Sequence, residues 1–357
     1  MINEQTAKEL AALAQLSDEQ GVLLPEQLVI IHKERWFKLF VPKTQGGLEL
    51  GLPEGLAMEE ALARIDGSLG WTVTLCAGAS LFTGYLPQQL TDRLFEDPAV
   101  CFGGSGALSG IAKEVPDGYQ VSGSWKYATG TPYSTCFTAN CKIERAGQVL
   151  MDDAGAPVYR SFIFKREEVT VKNDWNAMGL KATASNSFNV DGLTVSPDRS
   201  FMIDPGATTL PGAIFKYPFL QFAEATLAVN TFGMAQHFLE EFDKLLQHKI
   251  TSGSFAAGQE VLMQTRQTMA ANHLQKLRAR FYTAIEESWL IVVKGGKIPQ
   301  ALLEHITQLS RGLAKSSREL VGDLYPYCGV GATQNGTTLN RIFRDVFTAS
   351  QHLLLNL

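Results

Sequence analysis

The hydrophobic period changes twice along these 357 residues, and that constrains the fold more than any other feature of the sequence. In roughly the first hundred residues, apolar side chains recur at helical spacing around 6–16, 25–40, 53–65 and 67–83, with Pro42, Gly46 and Gly47 as punctuation. Asp66 and Ser68 stand where an N-cap would, just before an apolar run from Trp71 to Leu81. Near Val100 the text changes to short alternating runs broken by Gly, Pro, Asn and Asp. Phe137, Ala139, Cys141 and Ile143 alternate, as do Phe162 with Phe164 and Phe188 with Val190. This predicts a compact antiparallel sandwich or barrel. From Pro218 the helical period returns. Phe238, Phe242, Leu245 and Leu246 share one face, Leu274, Leu277, Phe281 and Ala284 another, and Leu302, Ile306, Leu309, Leu313 and Leu320 a third. These segments predict an antiparallel four-helix bundle, its last helix running from near Thr338 to the end of the chain.

The expected organisation is therefore α+β, mainly α: helices over 1–97, a β-domain over 98–206 and a helical bundle over 207–357. A chain this long outgrows a single core, which fits three packed units. The formal net charge of −5 and the lack of a Lys/Arg run argue against nucleic-acid binding. Five cysteines without a CxxC pair point to free thiols in a reducing interior. With no export signal and no apolar stretch of membrane-spanning length, a cytoplasmic protein away from membranes is expected. Six scattered histidines offer no metal-ligand spacing, and neither a phosphate loop GxxxxGK[ST] nor a GxSxG elbow is present.

Four local motifs sharpen the reading. Asp66-Gly-Ser-Leu-Gly-Trp71 resembles the Asp-Gly-Ser-x-Gly-Trp of flavin-dependent monooxygenases within the acyl-CoA dehydrogenase superfamily. The stretch from Gly118 to Gly130 is similar to their Gly-Tyr-x-Val-Ser-Gly-x-Trp-x-Phe-x-Ser-Gly strand pair. Met178-Gly-Leu-Lys-Ala-Thr-Ala-Ser185 resembles the superfamily's Gly-Leu-Arg-x-Thr-x-Ser turn. The run Arg341-Ile-Phe-Arg-Asp345, followed by Gln351-His352, resembles its Arg-x-x-Arg-Asp…Gln-His ending. Occurring in order over nearly the whole chain, these motifs imply the acyl-CoA dehydrogenase fold, nearest the two-component monooxygenase branch.

The resemblance also implies site residues. Tyr127 would flank a flavin ring and the Thr129 hydroxyl would meet its N5. Phe102, Gly104 and Ser105 would pass the ring with backbone NH groups, and Arg344 would face a flavin phosphate. His352, expected two helical turns beyond Asp345 on the same face, would orient a substrate hydroxyl or act as its base. Arg341 and Asp345, at i and i+4, read as a structural ion pair. Trp125 and Trp175 read better as core anchors than as flavin neighbours. The superfamily's phosphate-gripping Arg-x-x-Phe-Gly corresponds to the segment 248–255, where Lys249 and Ser252 or Ser254 replace the planar arginine. Gly329 permits close approach before the last helix.

Two reactions stay open at this point. One is oxygenation of a small substrate by reduced flavin through His352 and Thr129. The other is acyl-CoA dehydrogenation with Glu224 as base, since 346–357 carries no carboxylate. The cofactor is expected to be FAD, or FMN or reduced flavin from a reductase, and an electron-transfer partner is the counterpart for a dehydrogenase. A non-catalytic binding relative is the reading from a different class. The monooxygenases' second histidine after the Gly-Trp is replaced by Gly78, Ala79 and Ser80. A homotetramer is expected from the resemblance.

Overall fold

In the computed structural model, which describes residues 2–255 and 258–356, five helices precede the β-domain: α1 (Glu4–Gln20), α2 (Pro25–Lys33), α3 (Leu52–Ile65), α4 (Gly67–Ser80) and α5 (Gln88–Phe95). The strands are β1 (Phe102–Val115), β2 (Gly118–Ala128), β3 (Cys136–Arg145), β4 (Gln148–Val149), β5 (Tyr159–Lys165), β6 (Thr170–Lys172), β7 (Asn186–Val195) and β8 (Ser200–Phe201). A short α6 (Ala213–Lys216) leads to the long helices α7 (Phe219–Thr251), α8 (Gln259–Val293) and α9 (Gln300–Leu324), and α10 (Thr338–Ala349) closes the bundle.

The central element is α4. Nearly every residue from Gly67 to Thr74 is buried, and a helix apolar all round belongs inside a protein. Asp66 caps it, accepting from the Leu69 N–H at 2.9 Å as its sequence position predicts. Glycine lets its neighbours come close. A Cβ on Gly70 would lie 2.5 Å from the Ala63 backbone of α3, and one on Gly233 of α7 would lie 2.4 Å from the Glu60 carbonyl.

The sheet runs β6-β7-β2-β1-β3-β5-β8, with β4 paired to β3. It departs from the all-antiparallel expectation at one place: β1 and β3 are parallel, Phe102 opposite Cys136. An alternation pattern reports faces, not strand direction, so the sequence could not show this. Trp125, Phe137, Phe162, Phe164 and Phe188 fill the β-core, and Trp125 stacks on Phe188 at 5.2 Å. Trp125 is thus a core anchor, as expected.

The last helix is shorter than expected. It stops at Ala349, and His352 lies in the following turn, capping a 3-10 turn over Leu353–Leu355. His352 and Asp345 therefore do not share a helical face.

Candidate functional site

Between Trp125 and Ala128 the β2–β7 register slips: three residues on β2 span the distance from Phe188 to Asn186 on β7. The bulge puts Tyr127 in left-handed backbone at φ 63 and turns its ring outward, 71% exposed, with Trp175 edge-on at 6.2 Å. A bulky residue at positive φ is strained and persists only where its surroundings hold it. Leu180 (φ 52) and Ala184 (φ 42), on the neighbouring turn, share the feature.

That neighbouring turn fastens the 127–134 segment. The Gly130 N–H donates to the Thr183 carbonyl, the Thr131 hydroxyl to the Ala184 carbonyl, and the Asn186 amide to Thr131 Oγ1. Thr129 Oγ1 lies 2.8 Å from Ser185 Oγ, which lies 2.7 Å from Thr183 Oγ1. The segment then packs on α4, where a Cβ on Gly130 would meet Cys76 Sγ at 2.8 Å and Thr72 at 3.6 Å. The opening of β1 touches the same turn, since a Cβ on Gly103 would strike Ser134 Oγ at 2.2 Å. Gly104 and Ser105 follow on a half-buried edge. The Phe102 side chain is not part of any open slot; it is fully buried and stacks on Phe95, so only its backbone is near the turn.

His352 reaches α4 at Trp71. Its ring meets Trp71 edge-on at 6.1 Å. Nδ1 accepts the Leu354 N–H at 3.3 Å, so the neutral ring carries its proton on Nε2. Burial lowers its pKa from 6.5, which keeps that neutral form. Among the described residues nothing within hydrogen-bond distance engages Nε2. Thr129 and His352 thus converge on the first three turns of one helix, through Thr72 and Cys76 on one face and Trp71 on the next.

Other expected site residues have different work. Arg344 does not face a phosphate. Its guanidinium is buried against Asp18, Nη2 to Oδ2 at 2.7 Å, and also donates to Asn340 Oδ1 and the Met178 carbonyl. Arg341 pairs with Asp66 at 3.3 Å and not with Asp345, which instead accepts the Leu180 N–H at 2.5 Å. These groups form one buried knot. Burial raises the pKa of both Asp345 and Asp66, and the Asp66 and Asp18 carboxylates raise that of Asp345 further. Asp345, in hydrogen-bond contact with a backbone donor only, is the group that keeps a proton.

Glu224 is corrected as well. It is fully buried, with Oε1 held by Arg311 Nη2 at 2.7 Å and Oε2 by the Thr307 hydroxyl at 2.5 Å. It clamps α7 to α9 and is not a free base. Ser80, in the 78–80 segment expected to replace the second histidine, spends its hydroxyl on the Cys76 carbonyl.

Lys249 and Gly329 do come together, because Lys249 Nζ donates to the Tyr327 carbonyl at 3.0 Å. Ser252 and Ser254 bond each other on the adjoining surface. Asn230, on the same helix as Lys249, bonds Thr74 of α4. At 1.5 Å per residue, Lys249 lies roughly 28 Å further along α7, out of reach of a ring beside Thr129 in the same chain.

A cavity of about 280 Å³ adjoins the terminal turn, lined by Arg311, Lys315, Arg318, Ser350, Leu355 and Asn356. A larger cleft of about 960 Å³ between α1, α3, α7 and α8 is lined by charges of both signs, Glu60, Glu240, Arg64 and Arg278 among them. It holds none of the expected site residues, and its mixed polarity does not suit a flat apolar ring. Among the described residues no helix is long and apolar enough to cross a membrane.

Comparison with known proteins finds the same fold. Residues 225–357 match the family described as acyl-CoA dehydrogenase, C-terminal domain. Indole-3-acetate monooxygenase of Pseudomonas putida is 25% identical over 89% of this chain and 80% of its own length. The crystal structure of the HsaA monooxygenase from Mycobacterium tuberculosis superposes with a TM-score of 0.90 at 21% identity, covering 99% of this chain and 93% of that one. XiaF from a Streptomyces species, solved with FADH2 and glycerol, superposes with a TM-score of 0.85 at 20% identity, covering 99% and 90%.

Proposed function

We infer that this chain, a member of the acyl-CoA dehydrogenase superfamily and a flavin-dependent oxidoreductase, is the oxygenase component of a two-component monooxygenase that hydroxylates a small aromatic substrate. The observation that carries the reading is that the Thr129–Gly130 turn and the His352 ring both pack on α4, the turn against Thr72 and Cys76 and the ring against Trp71. The locked carboxylate of Glu224 removes the group that a dehydrogenase would need to abstract a proton. The names of the relatives, an indole-3-acetate monooxygenase among them, support an aromatic substrate and oxygen chemistry.

The residues fit a flavin. Tyr127 and Trp175 offer an aromatic edge, Gly103 on β1 lies against the turn that carries Thr129, and Gly104 and Ser105 beyond it are half-buried. Reduced flavin, when bound, supplies the electrons for dioxygen activation. The chain's own contribution is orientation and electrostatics. His352, neutral and pinned at Nδ1, presents its Nε2–H to a substrate hydroxyl or carboxylate, and so acts as a donor more than as the base the motif suggests. The flavin is FAD or FMN in its reduced form, delivered by a separate reductase. Lys249 and Ser252, at the far end of α7, are too distant to serve the same ring, and with Gly329 near Lys249 they would meet the flavin of a neighbouring copy in a homotetramer.

Anaerobic titration with reduced FMN and reduced FAD, followed by oxygen and a panel of phenols and indoles, tests this. Binding of reduced flavin and oxygen-dependent hydroxylation are expected. Bleaching of oxidised flavin by an acyl-CoA would overturn the reading in favour of dehydrogenation.

A further inference from the structure

We propose that Thr183 and Ser185 set the direction of the Thr129 hydroxyl and thereby make this site select the reduced flavin over the oxidised one. The inference rests on the reading that Thr129 meets flavin N5.

Each of the three hydroxyls has one proton to give. Thr183 Oγ1 lies 2.8 Å from the Leu180 carbonyl, which can only accept, so Thr183 spends its one proton there. Ser185 Oγ, 2.7 Å from Thr183 Oγ1, must then be the donor in that bond. With the Ser185 proton committed, the 2.8 Å contact to Thr129 leaves Thr129 as donor and Ser185 as acceptor. All three side chains are at least nine-tenths buried, which shields the chain of bonds from water. Left-handed backbone at Leu180 and Ala184 holds both ends of the turn that carries it.

The consequence is at the open end. Thr129 Oγ1 has no proton left and offers lone pairs only. The N5 of oxidised flavin also has only a lone pair to offer, and two acceptors facing each other leave both unsatisfied. The N5–H of reduced flavin is a donor and completes the chain. One hydrogen bond made against one buried acceptor left unmade corresponds to a preference of roughly ten- to a hundredfold. A tenfold preference raises the two-electron potential of the bound flavin by about 30 mV. An oxygenase that must accept reduced flavin from a reductase, and release the oxidised product, needs a preference of this sign.

Anaerobic binding of FMN and reduced FMN to the full-length protein is the test, on wild type and on Ser185→Ala. Wild type is expected to bind reduced FMN at least tenfold tighter. Ser185→Ala frees the Thr129 proton to turn outward, so the ratio should fall toward one through tighter binding of oxidised FMN, a gain that damage to the fold does not produce. Thr183→Val breaks the same commitment one bond earlier and should move the ratio the same way; it decides the matter where Ser185→Ala fails to fold. Equal affinities in wild type, or an unchanged ratio in both variants, overturn the inference while leaving the oxygenase reading intact. Failure of reduced FMN to bind overturns the oxygenase reading and this inference with it.

Discussion

His352 shows how far one residue's role depends on the turn that holds it. The sequence placed it on a helical face with Asp345; the helix instead ends at Ala349, and the freed turn brings the imidazole against Trp71. The motif around Asp66 and Trp71 and the motif ending in His352 are thus two halves of one contact, which neither motif shows alone. His352→Gln should cut hydroxylation kcat/KM by roughly a hundredfold or more, while the affinity for reduced flavin stays unchanged, as stopped-flow and titration would measure. Because burial lowers its pKa from 6.5, the ring stays neutral at pH 7. The acid limb of kcat/KM assigned to it should therefore lie below pH 6.5, activity falling as pH drops, and the limb should vanish in His352→Gln. Glu224 behaves oppositely. Glu224→Gln should retain hydroxylation yet lower the urea midpoint, with a loss of about 2 kcal/mol; the 27% exposure of the Arg311 side chain puts this below the range for a fully buried pair.

At the scale of elements, the recognised motifs turn out to hold helices and strands together as much as to do chemistry. Asp66 at the head of α4, the turn from Met178 to Leu180 and the Arg344–Asp345 pair of α10 interlock with Asp18 of α1. A Cβ on Gly179 would lie 2.1 Å from the Arg344 carbonyl, which accounts for the glycine in that motif. The sequence made the residues legible but assigned them to phosphate and to an i, i+4 pair, because spacing cannot tell which element crosses next. Glu59 on α3 gave no signal at all. It is fully buried facing Thr74 of α4, neither carboxyl oxygen has a hydrogen-bond partner among the described residues, and burial raises its pKa well above 4.5. A carboxyl whose folded pKa is raised favours the folded state only while protonated. Its stabilising share is full below the unfolded pKa near 4.5 and is lost as pH rises through the folded value, and Asp345 adds to the trend in the same direction. Stability should therefore fall as pH is raised from 5 through neutrality. Glu59→Gln should flatten that slope and raise the melting temperature at pH 8, which calorimetry across pH would reveal; an unchanged or steeper slope would contradict it.

Across the whole molecule, the twice-changed period read out the order of helices, strands and helices, because burial periodicity survives in a single sequence. The Phe238–Phe242–Leu246 face and the Ile306–Leu309–Leu313 face are buried as their spacing requires. What stayed hidden was set by tertiary pairing: the parallel β1–β3 pair, the bulge that turns Tyr127 outward, and the hydroxyl chain from Thr183 to Thr129. Separation along α7 carries a further expectation. Since Lys249 sits roughly 28 Å from Asn230 along α7 and bonds the Tyr327 carbonyl beside Gly329, this group binds a flavin only if copies of the chain assemble. Light scattering should return a tetramer, and Lys249→Glu should weaken flavin binding without altering Thr129 or His352; a monomer with full flavin affinity would contradict this.

The most direct measurement is a structure of the protein grown or soaked anaerobically with reduced FMN or FAD. The ring is expected against Tyr127, its N5 about 3 Å from Thr129 Oγ1, and His352 Nε2 facing the space beyond the ring on the Trp71 side. A ring bound in the 960 Å³ cleft beside Arg64 and Glu240, or anywhere that leaves Thr129 and His352 without a shared space, would contradict it.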